Sequence, residues 1–243
     1  MNAEPSILRE LSCQVRDIEP LRPDISRVWL QLPEHNRLSW RPGQYLMLVL
    51  DGAEYPFSIA NAPGTPAGML ELHVRHTDDN PASLAIMVAL REGGPMRVRA
   101  PGGERFIGEH LPEQPVWFVC GSTGFAPAKA MIESLLARDF SHEIRLYWGA
   151  RTCGDLYLPT LPERWAAEGR ILYFPVLSEE DPGTTRTGLV HKAVLEDLQA
   201  PETPLFHIGG SPAMAWAVFD ALCAAGVPAA HIHSDVFDYA PRE

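Results

Sequence analysis

The stretch "VWFVCGSTGFAPAKAMIESLLARDF", residues 116–140, decides how this chain is read. Val116 to Cys120 form a short apolar run suited to a buried strand. A tight turn with Gly121 and Gly124 follows, and Pro127–Arg138 reads as a helix. Residues without a Cβ let a ligand approach the backbone closely, and the N–H groups at a helix start favour an anion. A dinucleotide pyrophosphate fits such a place. A plain strand-to-helix turn fits it too, because the glycines lack the usual dinucleotide fingerprint spacing.

Downstream the same grammar recurs. Strands are expected at "EIRLYWGA", "ILYFPVL", "LFHIGG" and "HIHSDV", with helices over Val190–Gln199 and Pro212–Ala225 and Gly226 as a cap. Nearly continuous apolar strands alternating with helices imply a parallel sheet covered on both faces, with ligands at the carboxyl ends of its strands. In "HIGGSPAMAWAV", Gly209, Gly210, Ser211 and Pro212 form a second strand-to-helix turn at that edge. Between the two turns lies "YWGAR", where Gly149 ends a strand. Arg151 there reads either as a partner for phosphate or ribose or as a solvated surface cation.

Upstream the pattern is different. As far as Arg105 the chain reads as β-rich segments, among them "RVWLQL", "QYLMLVL", "PFSIAN", "LELHV" and "MRVRA", separated by Pro, Gly and Asp. One helix interrupts them, "PASLAIMVALREG", with Pro81 suited to its first turn and Gly93-Gly94 to its end. Many short strands with a single helix suggest a small antiparallel barrel.

Composition bounds the rest. The 243 residues are 46% apolar, enough for one large domain or two compact ones. A formal charge of −11 would repel a nucleic-acid backbone or an anionic membrane surface. "MNAEPSILRE" lacks the basic and apolar regions of a signal peptide, and "LAIMVAL" is far too short to cross a bilayer of about 30 Å. A soluble, cytoplasmic protein is the expectation. Cys13, Cys120, Cys153 and Cys223 form no C-x-x-C pair, so neither zinc nor an iron–sulfur cluster is indicated, and isolated thiols suit a reducing compartment.

These motifs, in this order, resemble the ferredoxin–NADP reductase superfamily, and within it the stand-alone bacterial NAD(P)H:flavin oxidoreductases. The residues concerned are Arg41 to Tyr45 ("RPGQY"), Tyr55 to Ser58 ("YPFS"), Glu71 to Arg75 ("ELHVR"), "CGSTGFAPAKA", "YWGAR", "DLY" and "IGGSPAM". The resemblance implies a β-barrel flavin-binding domain over residues 1–108 and an α/β parallel-sheet NAD(P)H-binding domain over 109–243. It places Ser58 near flavin N5, where a hydroxyl can donate or accept without adding charge. Tyr55, Pro56 and Phe57 would border the flavin, Ile59 and Ala60 would neighbour its ring, and Ser83 would cap a turn or touch the ligand. Gly121, Thr123, Gly124, Arg151, Gly209, Gly210, Ser211 and Pro212 would hold NADH or NADPH. Direct hydride transfer needs no strong acid or base, only close placement of the two rings.

Two positions depart from the family pattern. Tyr55 stands where an arginine usually meets the flavin phosphate, and "NPAS" (Asn80 to Ser83) replaces a glycine-containing helix start. A phenol cannot replace a bidentate cation. Both departures favour a diffusible flavin, whether FAD, FMN or riboflavin, over a tightly held one. The competing readings are a reductase with retained FAD serving an oxygenase or iron–sulfur partner, and a non-enzymatic nucleotide sensor. His231 and His233 read as structural or surface residues. Phe237 or Tyr239 reads as a shield over the flavin or as part of a solvated tail.

Overall fold

Six strands, β1 (Arg9–Arg22), β2 (Ile25–Gln31), β3 (Tyr45–Leu50), β4 (Ala53–Ser58), β5 (Met69–Arg75) and β6 (Pro95–Gly102), form an antiparallel sheet. Their order is β4-β3-β6-β1-β2-β5. The computed structural model describes residues 8–34, 38–64, 66–198 and 203–242. Most of the "MNAEPSILRE" stretch, residues 1–7, and Gln199, the expected end of one helix, lie outside these. Strand β1 is long and rich in charge, yet it keeps the period of two: Leu11 and Cys13 are buried, while Glu10, Ser12 and Gln14 are exposed.

The two edges of the sheet are tied just past the end of β4. Ala60 N–H donates to the Glu71 carbonyl at 2.8 Å. The Asn61 side chain accepts from Glu71 N–H at 2.8 Å and donates to the Met69 carbonyl at 3.0 Å. Such closure satisfies edge groups that would otherwise face water or a foreign strand. Inside lie Leu30, Leu46, Leu48, Leu70, Leu72 and Val98, all fully buried. The helix between β5 and β6, α1 (Pro81–Glu92), carries Pro81 in its first turn and ends at Gly93 in the left-handed conformation.

The rest of the chain alternates. Strands β7 (Val116–Gly121), β8 (Ile144–Ala150), β9 (Leu172–Leu177), β10 (Arg186–Thr187), β11 (Leu205–Gly209) and β12 (Ile232–His233) form a parallel sheet in the order β10-β9-β8-β7-β11-β12. Helices α2 (Phe125–Ala137), α3 (Thr160–Ala167), α4 (Val190–Asp197), α5 (Pro212–Ala224) and α6 (Val236–Tyr239) accompany it. After α5, Gly226 at φ +90° lets Val227 N–H reach the Leu222 carbonyl at 3.0 Å, a Schellman ending.

Three elements differ from expectation. The expected strand "HIHSDV" is a strand only at Ile232–His233, because Ser234 Oγ accepts from Val236 N–H at 3.3 Å and turns the chain into α6. Helix α3 was hidden behind Pro159 and Pro162, which sit at its cap and first turn, where no intrahelical N–H is needed. Strand β10 is too short to leave a pattern.

The contacts divide the chain into two units. One takes the residues up to Glu109 together with Lys129–Leu135; the other takes His110–Ala128 and the residues from Leu136 onward. The middle of α2 thus groups with the antiparallel sheet, although the sequence grammar puts it in the α/β part.

Candidate functional site

In the parallel sheet the chain runs from β7 outward to β8 and β9 on one side, and returns as β11 on the other. The crevice between strands whose connections diverge is where such sheets bind nucleotides. Both glycine turns stand there, since Cys120 and Gly209 are register partners at the carboxyl ends of β7 and β11. Ser122, Thr123 and Gly124 form one turn of 3-10 helix, and Ser122 holds φ +50°. That is an uncommon conformation for a residue with a Cβ. Phe125 anchors the turn from below. It is fully buried and stacks on Trp148 with ring centres 4.1 Å apart.

The structure shows what the glycines accommodate. A Cβ on Gly124 would lie 2.5 Å from Gly210 N and nearer still to the Gly209 carbonyl, and a Cβ on Gly209 would meet the Gly124 backbone. These two glycines let the turns touch each other. Close approach of a ligand is therefore not the only demand on them, which corrects the sequence-based reason. A Cβ on Gly121 would meet Met214 Sδ at 2.5 Å. Ser211 caps α5, its Oγ accepting from Met214 N–H at 3.3 Å, and Pro212 opens the helix; both are exposed. The start of this 13-residue helix offers a positive dipole end to an anion.

Arg151 follows β8, with its side chain 67% exposed and Asp155 Oδ2 at 3.8 Å from its Nε. Asp155 is held by the Thr152 amide at 3.0 Å and the Thr152 hydroxyl at 3.1 Å. The carboxylate therefore stays beside the guanidinium.

In the antiparallel unit, alternation along β4 separates the motif "YPFS" into two faces. Tyr55 and Phe57 pair with Leu48 and Leu46 and pack against the barrel core. Pro56 and Ser58 share the outward face, with Ser58 in register with Tyr45. Ser58 is half-buried, and among the described residues its hydroxyl has no hydrogen-bond partner. Ile59 and Ala60 are wholly buried, so neither side chain presents surface to a ring. That departs from their expected place beside it, because the chain turns inward as β4 ends. Ser83 is buried in the start of α1, its Oγ accepting from Thr77 N–H at 3.2 Å and donating to the Asn80 carbonyl at 2.8 Å. Asn80 Oδ1 in turn accepts from Ser83 N–H at 3.1 Å.

A buried ionic cluster beside this segment was not read from the sequence. Glu71 and His73 lie on one face of β5. Lys129 Nζ donates to Glu71 Oε2 at 2.7 Å and to the Ala60 carbonyl at 3.0 Å, and pairs with Glu133 Oε1 at 2.9 Å. Burial pushes the Glu71 carboxyl up, but the His73 hydrogen bond and the Lys129 ammonium outweigh it and hold the group below its ordinary range. Burial keeps the His73 imidazole neutral, helped by the charges of Lys129 and Arg27 and opposed by Glu71. A neutral ring facing a carboxylate at 3.0 Å must donate through Nε2–H. The available signal was a lone lysine within the apolar run "FAPAKAMI".

His233 stacks on His207 at 5.3 Å, and His207 stacks on Phe118 at 5.6 Å. Phe237 packs against Trp216 and Phe219, whereas Tyr239 is 63% exposed. Among the described residues there is no cluster of three metal-ligating side chains, and no helix is long and apolar enough to cross a membrane.

Residues 118–220, which include both glycine turns, match the family model of the oxidoreductase NAD-binding domain. The chain is 35% identical over 229 residues to the CDP-6-deoxy-L-threo-D-glycero-4-hexulose-3-dehydrase reductase of Yersinia pestis, covering 93% of this chain and 68% of that protein. It is 32% identical over 214 residues to the NAD(P)H-flavin reductase of Vibrio harveyi, covering 85% and 89%. The chain belongs to the ferredoxin–NADP reductase superfamily. A solved member, the Amycolatopsis cytochrome P450 reductase GcoB, superposes with a TM-score of 0.80 at 30% identity, covering 93% of this chain and 69% of GcoB. Within the superfamily this chain is an oxidoreductase, and its antiparallel sheet followed by a parallel one is the superfamily's two-domain architecture.

Proposed function

We propose that this oxidoreductase is an NAD(P)H-dependent flavin reductase whose flavin, riboflavin, FMN or FAD, enters and leaves as a substrate. The observation that carries the reading is the self-contained start of α1. Asn80, Ser83 and Thr77 satisfy one another there. Position 55 presents a core-packed phenol rather than a cation. Neither place is prepared for a flavin phosphate, so recognition falls on the ring. The fit to a ring is supported by Ser58, an outward hydroxyl with no partner among the described residues.

A flavin accepts the nicotinamide hydride at N5. Ser58 would give or take a hydrogen bond at that atom without adding charge. Gly121, Thr123, Gly124, Gly209, Gly210, Ser211 and Pro212 would hold the pyrophosphate and nicotinamide side, and Arg151 would meet ribose or phosphate. The name of the Vibrio harveyi relative supports the same reading.

A second reading is favoured by the names of the longer relatives. As a reductase component, the chain would retain flavin and pass electrons to a partner such as an oxygenase or iron–sulfur protein. Anaerobic NADH and NADPH oxidation by desalted protein, with and without added flavin, separates the two. Colourless protein whose turnover requires free flavin is the expected result. Yellow protein that is reduced without added flavin and then stalls until an acceptor protein is supplied would overturn it in favour of the second reading. No oxidation under any condition would leave a nucleotide-binding protein.

A further inference from the structure

Ser58 is the last residue of an edge strand, so among the described residues no strand is hydrogen-bonded to the far side of β4 to fix it. The segment that follows is held by other means. Ile59 N–H donates to the Gln44 carbonyl at 3.0 Å, and Ala60 N–H to the Glu71 carbonyl at 2.8 Å. The Ala60 carbonyl takes a hydrogen bond from Lys129 Nζ at 3.0 Å. The ammonium has three acceptors within reach, Ala60, Glu71 and Glu133, which match its three protons. Its side chain is 6% exposed and that of Glu71 is 1% exposed.

A buried ion pair is weak evidence for stability, since a well-packed apolar pair often serves as well or better. This one does something an apolar pair could not. It grips a backbone carbonyl two residues past the Ser58 hydroxyl, and it neutralises the carboxylate whose own backbone receives Ala60 N–H. Without the ammonium, the Ala60 carbonyl would lose its side-chain donor and the buried Glu71 carboxylate its cation, leaving that charge only the His73 hydrogen bond, and the segment would shift to find water. A displacement of about 1 Å at a reacting centre costs roughly 100-fold in rate.

We infer that Lys129 is a positioning residue for hydride transfer, setting the place of the Ser58 hydroxyl through the Ala60 carbonyl and the Glu71 carboxylate. The inference rests on the flavin-reducing function proposed above. Lys129 touches neither flavin nor nicotinamide in this role; it acts through Ser58.

The test is a double-mutant cycle on anaerobic single-turnover flavin reduction, with S58A, K129M and S58A/K129M. K129M should slow the hydride step roughly 10- to 100-fold while leaving NAD(P)H affinity unchanged. In the S58A background the same change should cost less than about twofold, because the hydroxyl it positions is already gone. A purely structural lysine would instead give effects that multiply, and that result overturns the inference. Unslowed reduction by K129M also overturns it. A second readout needs no flavin: in K129M the Ala60 and Asn61 amides should exchange faster than in the unaltered protein while the β1 amides do not, and equal exchange counts against the proposal. Should K129M fail to fold, E71Q/K129M removes both charges together and carries the same cycle. Flavin reduction by the unaltered protein separates the two failures: its absence overturns the proposed function and this inference with it, whereas its presence with multiplying effects overturns this inference alone.

Discussion

Gly124 and Gly209, 85 residues apart in sequence by their numbering, press backbone against backbone where β7 and β11 end, with no room for a Cβ on either. Neither residue has a backbone conformation forbidden to alanine, so the constraint is space alone. Gly124→Ala should therefore cost about 1–3 kcal/mol through overpacking against an unyielding backbone. It should also raise the KM for NADH and NADPH and leave flavin affinity unchanged. Gly121→Ala should cost less, because its added Cβ meets the flexible thioether of Met214. Urea titration and initial-rate kinetics on both variants check the contrast.

Removing the Ser58 hydroxyl tests the reacting side. One hydrogen bond of about 1–3 kcal/mol corresponds to roughly 10- to 100-fold in rate. Ser58→Ala should slow flavin reduction by that factor with NAD(P)H binding intact. Stopped-flow bleaching of flavin absorbance measures the first and nucleotide titration the second.

The start of α1 makes the opposite prediction. Ser83→Ala removes a hydroxyl that receives Thr77 N–H and binds the Asn80 carbonyl. It should destabilise the fold by about 1 kcal/mol, as loss of a helix-start side chain does. Flavin KM should not change. A raised flavin KM with unchanged stability would instead assign Ser83 to the ligand.

Acid should loosen the antiparallel unit in a defined way. Burial holds His73 below its ordinary pKa, so below about pH 6.5 the unfolded chain binds a proton that the folded chain refuses. Stability then falls with decreasing pH, by roughly 1.4 kcal/mol per pH unit for one such group until its folded pKa is reached. Glu71, also held low, adds a further loss below the ordinary glutamate range of about 4.3. Glu133, pushed up by burial, works in the opposite sense. Comparing urea stability of the unaltered protein and His73→Gln between pH 7.5 and 5 isolates the histidine: the loss should be smaller in the variant.

Much of the architecture was legible because it is written in local periodicity. The run "VWFVC", the glycine turn after it and the helix beyond announce a β-α unit, and the repeat of that grammar at "LFHIGGSP" announces a parallel sheet. What was not legible lacked a local signature. Helix α3 begins among prolines that normally mark breaks, and β12 gives way to α6 because one serine hydroxyl caps a turn. In β4 the family motif pointed to Tyr55 through Ala60 as a group, yet alternation and burial leave Pro56 and Ser58 on the outward face and draw Ile59 and Ala60 into the core.

The two kinds of sheet, most of their strands and both glycine turns are legible in the sequence alone. Each depends on residues within a few positions of one another, where propensity and period act. The contact of Gly124 with Gly209, and of Lys129 with Glu71 and Ala60, arises only once the chain is folded. Those relationships connect residues far apart in sequence, and their cause is close packing and the cost of a buried charge, which no local pattern encodes.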